Sequence, residues 1–132
     1  MAHFEQRARA ATARGLALLR AGDFFEAHEC FEEVWRSARD EERMLMHALA
    51  QLAASYHQLS LGRARASLRT WLKARDKLAT LGALSSDYQR AVEAFWARLS
   101  LSAEPPHRIS VVDLAGREEW PCPDYLLLFV SS

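Results

Sequence analysis

Three of the five glycines in this chain divide most of it into segments whose apolar residues recur every three or four positions. Such recurrence is typical of amphipathic α-helices, and glycine tolerates the left-handed conformation in which many helices end. Gly22, Gly62 and Gly82 are therefore predicted to stop three helices. The periodicity predicts helices over 3–21, 24–37, 40–61 and 63–81.

Residues able to cap a helix N-terminus precede several of these segments. Asp23 is followed three positions later by Glu26, and Ser86 by Gln89, which are capping-box patterns. Asp40 stands where a third N-cap is needed to accept hydrogen bonds from free N–H groups. The sequence after Ser86 predicts a short fifth helix. The predicted fold class is therefore all-α, a four- to five-helix bundle built from helical hairpins.

Two of the helices carry clear apolar faces. The helix over 40–61 is apolar around much of its circumference because alanines flank its leucines, which is typical of a central, closely packed helix. In the helix over 63–81, the residues predicted to be buried are Ala64, Leu68, Trp71, Leu72 and Leu78.

The character of the chain changes after residue 103. Pro105 and Pro106 cannot continue a helix and favour an extended path. The stretch ISVVDL is consistent with a short strand, and the apolar residues 126–130 need cover from water. We expect a helical bundle domain over 1–103 and an irregular, extended tail over 104–132 that packs on the bundle or on a partner chain.

Length and charge exclude several classes of protein. The 132 residues suit one domain with its own core, and the 17 basic and 17 acidic side chains give no net charge. Without a net positive field, nucleic acid is not an expected partner. The basic run from Arg63 to Lys77 is interpreted as a solvated helix face, since no ladder of aromatic residues accompanies it.

Cysteine use and hydropathy favour a cytoplasmic protein. Cys30 and Cys122 are far apart and match no zinc or redox spacing. The opening residues are charged and rich in alanine, unlike the apolar centre of a signal peptide. No stretch approaches the roughly 18 uninterrupted apolar residues that a membrane span needs, so membrane insertion is not expected.

The stretch GDFFEAHECFEEVW is the strongest pointer to a functional site. At about 100° per residue, His28 and Glu32 fall on the same helix stripe as Phe24 and Trp35, which predicts that they face inward. Their i, i+4 spacing lets the imidazole hydrogen-bond the carboxylate, or lets both side chains point at a common third group.

The same stretch resembles a bacterial and plant family known as domain of unknown function 309, whose signature is HxxxExxW. The signature residues are His28, Glu32 and Trp35. The later stretch HALAQLAASYHQLSLGRARASLRTWLKARDKL is similar to the second conserved stretch of that family. Together the resemblance covers roughly residues 16–81.

The resemblance implies an all-helical bundle and no assigned biochemical activity. It places Gln51 and His57 at positions that the family also tends to fill with polar residues. The chain departs from the family at Met46 and His47, where a small or amide residue followed by glycine is usual. The predicted motif niche consists of His28, Glu32, Trp35, Gln51 and His57.

Two roles for the niche require the His28–Glu32 pair alone. A buried pair with all hydrogen bonds satisfied would fix the register of the helices. Alternatively, Glu32 would hold the imidazole in one tautomer while His28 moves a proton in acid–base catalysis. The sequence identifies no nucleophile for such a dyad.

Two further roles require residues from other parts of the chain. A divalent metal needs at least a third ligand, and His28 belongs neither to an HExxH signature, since Glu32 stands four positions later, nor to a di-iron ExxH pattern, since Phe25 stands three positions before it. A binding surface would be built around Trp35 and Trp71. The candidate metal ligands are His28, Glu32 and His57, with His47 or Gln51 as further donors.

We therefore expect a cytoplasmic, non-enzymatic binding or scaffold domain with a polar niche on the HxxxExxW helix. The alternative is a metal-dependent or His/Glu acid–base, hydrolase-like enzyme that uses the same niche. No cofactor is predicted, with a divalent metal as the alternative. The expected partner is a protein or a second copy of the chain, and neither nucleic acid nor a membrane.

Overall fold

The structure is a computed structural model that describes residues 6–102, 121–123 and 125–126. It confirms the all-α prediction, since five helices follow one another and no strand occurs among these residues. No helix in this part of the chain is long and apolar enough to cross a membrane. The helices are α1 Gln6–Ala21, α2 Phe24–Trp35, α3 Asp40–Ser60, α4 Ala64–Thr80 and α5 Ser86–Ser102.

The backbone confirms the three predicted helix stops. Gly22, Gly62 and Gly82 have φ angles of 85°, 79° and 68°, in the left-handed region where a side chain would be strained. After α1, the N–H of Gly22 donates to the carbonyl of Leu19, and the N–H of Asp23 donates to that of Leu18. This closure uses carbonyls that the helix leaves free. The chain therefore passes from α1 into α2 within two residues.

Helix α3 is the centre of the bundle, as its composition predicts. It lies between α2 and α4, contacts both, and also touches α1. The small alanines allow the neighbouring helices to approach while the leucines fill the space between them. The fully buried apolar residues of α3 are Leu45, Met46, Ala48, Leu49, Leu52, Ala53, Tyr56 and Leu59.

Helix α1 packs on α2 with Gly15 directly beneath the ring of Phe31. Phe31 is fully buried. A Cβ atom built on Gly15 would lie 2.8 Å from Cε2 of Phe31 and nearer still to Cζ. The ring therefore occupies the space that any larger residue at position 15 would need.

The buried face of α4 is rotated from the predicted one. Leu68, predicted to be buried, is 39% exposed, whereas Ser67 and Ala74 are fully buried. The physical reason is that the Ser67 hydroxyl donates to the carbonyl of Ser55 in α3, which satisfies the serine inside the core. Leu68 follows Ser67 and is turned about 100° away. Of the other predicted residues, Trp71 and Leu78 are buried and Ala64 and Leu72 are half-buried.

Two predicted N-caps form no capping hydrogen bond. Asp23 precedes α2, but its φ of −86° and ψ of 66° differ from the extended conformation typical of a capping residue. For α3, the cap position falls at Arg39, and Asp40 is the first residue of the helix with a left-handed φ of 56°. Aspartate tolerates that conformation better than most residues. Helices α2 and α3 therefore depend on packing more than on side-chain caps.

The N-cap of α5 is Ser85, one position before the predicted Ser86. The hydroxyl of Ser85 accepts a hydrogen bond of 3.0 Å from the backbone N–H of Tyr88, and the carbonyl of Ser85 accepts one from Gln89. Both bonds are typical of an N-cap. The helix spans 17 residues, so the expectation that it is short is also wrong.

Replacing Ser85 by alanine is expected to lower the free energy of unfolding by about 1 kcal/mol, because α5 then loses its side-chain cap. The matched control Ser86→Ala removes a hydroxyl one position away and should change stability by less than about 0.5 kcal/mol. Urea denaturation followed by circular dichroism measures both values. Equal losses in the two variants would contradict the assignment of the cap.

The start of the described tail segment is hydrogen-bonded to the bundle. The Tyr56 hydroxyl donates to the carbonyl of Pro121 at 2.9 Å. The Cys122 thiol donates to the carbonyl of Leu16 in α1 at 3.5 Å. Residues 121 and 122 therefore lie across α1 and α3.

Two further tail residues contribute apolar packing. The ring of Tyr125 lies against that of Tyr88 in α5, with centroids 5.7 Å apart, and Leu126 is fully buried. The remainder of the predicted tail, including the ISVVDL stretch and the domain boundary at residue 103, lies outside the described residues. The division into 1–103 and 104–132 stays a prediction.

Candidate functional site

His28 and Glu32 lie at the edge of the α2–α3 interface, where their side chains are 30% and 23% exposed. Nε2 of His28 is 3.6 Å from Oε2 of Glu32, within ion-pair range and beyond the usual hydrogen-bond distance. Nδ1 of His28 is 3.7 Å from Oε1 of Glu29. The imidazole thus stands between two carboxylates. The side chains are half-open to water, whereas the sequence pattern predicts an inward face.

Trp35 is held in place by two side chains of α3. Its ring stacks on His47, with centroids 4.6 Å apart and planes inclined by 19°. The guanidinium of Arg43 lies 4.8 Å from the centroid of the indole and donates to the Trp35 carbonyl at 3.0 Å. An imidazole stack and a cation over the ring favour one orientation of the indole. The buried Nε1 of Trp35 has no hydrogen-bond acceptor among the residues described.

Gln51 connects this region to α4. Nζ of Lys77 donates to Oε1 of Gln51 at 2.9 Å, and both side chains are half-buried. His47 precedes Gln51 by one helical turn, and Lys77 and Glu32 are both near enough to influence its pKa. These contacts bring side chains of three helices to one surface. We call this surface the motif face, and it consists of His28, Glu32, Trp35, His47, Gln51 and Lys77.

His57, the remaining residue of the predicted niche, lies towards the other end of α2. Its ring contacts Phe25, with centroids 5.6 Å apart. Phe25 and Trp35 are ten positions apart in α2, or about 15 Å along a helix. Because Trp35 meets His47 while Phe25 meets His57, the predicted niche is an elongated surface and not a single cluster.

Two residues of this region are missed by sequence analysis. Arg43 lies four residues before His47 in α3, so helical spacing contains a signal that could have identified it. Lys77 comes from α4, and no local pattern places it beside Gln51. His47 is predicted as a further metal donor and as a departure from the family pattern, whereas in the structure it stacks on Trp35.

The pKa of His47 is lowered from its ordinary value. The largest cause is burial, which penalises the charged imidazolium, and the next is the nearby ammonium of Lys77. Glu32 acts in the opposite direction and does not overcome these two effects. The folded protein therefore favours the neutral imidazole, which has one donor and one acceptor nitrogen.

We expect the stability of the protein to fall as the pH drops below about 6.5, the ordinary pKa of histidine. In that range the unfolded chain protonates position 47 more readily than the folded protein does, so protons favour unfolding. His47→Gln removes this proton uptake and should make the decline shallower. Urea midpoints at about pH 7.5 and 5.5 measure the effect, and parallel declines in the two proteins would contradict it.

The described residues provide neither a set of three metal ligands nor an activated nucleophile. Within the described ranges, no three His, Cys, Asp or Glu side chains are placed so that they could hold a metal ion. Cys30 donates to the carbonyl of Ala11 at 3.6 Å and forms no disulfide, and burial raises the pKa of its thiol. A raised pKa keeps this thiol protonated near neutral pH, so Cys30 is not an activated nucleophile.

The chain matches a known protein family over residues 12–70, and that family is described as Domain of unknown function (DUF309). The matched stretch runs from α1 into α4 and contains the HxxxExxW helix. Comparison with curated proteins and with solved structures gives no match. Over these residues, which include the helices that build most of its motif face, the chain is similar to the DUF309 family.

Proposed function

We propose that the chain is a cytoplasmic, non-enzymatic binding domain whose motif face receives a segment of a partner protein. The observation that carries the proposal is that accessible polar side chains lie on the same face as an indole that is held in place. His28 and Glu32 are 30% and 23% exposed, while Trp35 is stacked on its neighbours. Groups that are ordered before binding lose less entropy when a partner arrives.

The chemistry of the motif face suits a peptide. Glu32 accepts hydrogen bonds, Lys77 donates them, and a neutral His47 can do both. The indole of Trp35 adds flat apolar area, which is common at the centre of interfaces. A peptide backbone alternates donors and acceptors, so it can use both kinds of group, and a charged side chain of either sign finds a partner.

The exposure of the His28–Glu32 pair argues against a purely structural role. Ion pairs that are open to solvent contribute little to folding. We expect His28→Ala to leave the free energy of unfolding unchanged, or to raise it by up to about 0.5 kcal/mol, since alanine is the better helix former. A loss of more than about 1 kcal/mol in urea denaturation would instead indicate a buried structural pair.

Selection from a phage-displayed peptide library tests the binding role directly. Peptides selected on the wild-type protein should bind Glu32→Lys at least about tenfold more weakly, because the reversed charge opposes the same contacts. Glu41→Lys is a matched control, since Glu41 is exposed at the start of α3 and outside the motif face. Peptides that bind both variants equally, or a selection that yields no binders, would contradict the proposal.

A further inference from the structure

Helices α2 and α4 carry charges of opposite sign. Helix α2 contains four glutamates and no lysine or arginine. Helix α4 contains five lysines and arginines and a single aspartate. The net charge of zero therefore conceals an uneven distribution across the bundle. Helices α2 and α4 each pack on α3, so the two sets of charges lie on separate helices.

The acidic stripe consists of Glu26, Glu29 and Glu33, which are all exposed on α2. Their spacing places them along about 10 Å of one helix face. They line an open cleft of 410 Å³ together with Cys30, Arg14 and Arg36. Among the described residues, no salt bridge joins either arginine to these glutamates. Three carboxylates against two guanidinium groups leave the cleft acidic.

The basic stripe consists of Arg65, Arg69 and Lys73, which are all exposed on α4. Their i, i+4, i+8 spacing places them along about 12 Å of one face. None of the three is in a salt bridge within the described part of the chain. The acidic residue on this helix, Asp76, is paired with Arg75 at 3.1 Å. The basic stripe therefore carries charge that no described residue neutralises.

Each stripe has an exposed apolar side chain beside it. Phe25 is 56% exposed and lies next to Glu29 around α2. Leu68 is 39% exposed and lies on the solvent side of α4 near Arg65. Both stripes thus combine charge with a small apolar contact, as interfaces commonly do.

We propose that the basic stripe of one copy of this chain docks on the acidic stripe of a second copy. The two stripes are opposite in charge and similar in length, and the absence of net charge removes long-range repulsion between copies. Because two different surfaces meet, the association is head-to-tail and can continue beyond a dimer. The two stripes share no residue with the motif face, although Glu29 of the acidic stripe borders His28.

Sedimentation velocity at low and high salt tests this association. The wild-type protein is expected to associate at about 20 mM NaCl and to be monomeric at about 500 mM, where screening is strong. Arg69→Glu and Glu33→Arg should each raise the apparent Kd at low salt by at least about tenfold, because like charges then face each other. The matched control is Arg9→Glu, since Arg9 is exposed in α1 and outside both stripes. This variant changes the net charge as Arg69→Glu does and should associate as the wild type does.

A mixture of the two charge-reversed proteins provides the decisive measurement. Arg69→Glu and Glu33→Arg should be monomeric alone and associate when mixed, because the reversed charges are complementary across one interface. Both positions are exposed, so the variants should fold, which circular dichroism verifies. Wild-type protein that stays monomeric at low salt would overturn the proposal. A mixture that stays monomeric while the wild type associates would do the same.

Discussion

Gly15→Ala should destabilise the protein by about 1–2 kcal/mol, although alanine is the better helix former by about 1 kcal/mol. The added methyl group would overlap the ring of Phe31, which is fully buried and cannot move into solvent. The helices α1 and α2 would have to separate, or the ring would have to leave its preferred rotamer. Either response costs more than the gain in helix propensity.

Two variants separate the steric effect from helix propensity. Ala17→Gly lies on the exposed face of α1 and should lose about 1 kcal/mol through propensity alone. Phe31→Leu should cost less in the Gly15→Ala background than in the wild type, with a coupling of about 0.5–3 kcal/mol. Urea denaturation of the four proteins of the cycle measures this coupling. A Gly15→Ala protein as stable as the wild type would show that the helices adjust without cost.

Leu126→Ala is expected to lower the free energy of unfolding by about 2–3 kcal/mol, despite its position near the end of the chain. Leu126 is fully buried, and its N–H donates to the carbonyl of Pro123. Truncation removes apolar contact and leaves a cavity under the segment that also holds Tyr125 against Tyr88.

The matched control for this prediction is Leu68→Ala. Leu68 is 39% exposed on α4, so its replacement should change stability by less than about 0.5 kcal/mol. Chemical denaturation of both variants gives the comparison. Similar small losses would show that Leu126 is not part of the cooperative core, whereas the predicted difference would show that it is.

The His28–Glu32 pair of the candidate site could be predicted from the sequence, but the residues from other helices that surround it could not. The i, i+4 spacing of His28 and Glu32 correctly predicts that they are neighbours on α2. It does not predict that both are half-exposed, because that depends on how α2 lies on α3. Neither the stack of Trp35 on His47 nor the bond from Lys77 to Gln51 has a local signal, since each joins residues from different helices.

In the fold as well, local features could be predicted from the sequence, whereas features that depend on contacts between helices could not. The glycine stops, the number of helices and the central place of α3 follow from local pattern and composition. Two of the errors concern rotation and register. Ser67 is buried where Leu68 was expected, and Ser85 caps α5 where Ser86 was expected. Each error was decided by a hydrogen bond whose geometry the local sequence pattern left open.

The sequence by itself determined where the helices begin and end to within a few residues, and which helix carries the HxxxExxW motif. These properties depend on backbone preferences and on a 3.6-residue period, which act over a few neighbouring positions. Only the tertiary structure decided which side of each helix is buried and which residues complete the motif face. Those outcomes depend on contacts between residues far apart in the chain, such as Lys77 with Gln51, and on the fit of Phe31 over Gly15.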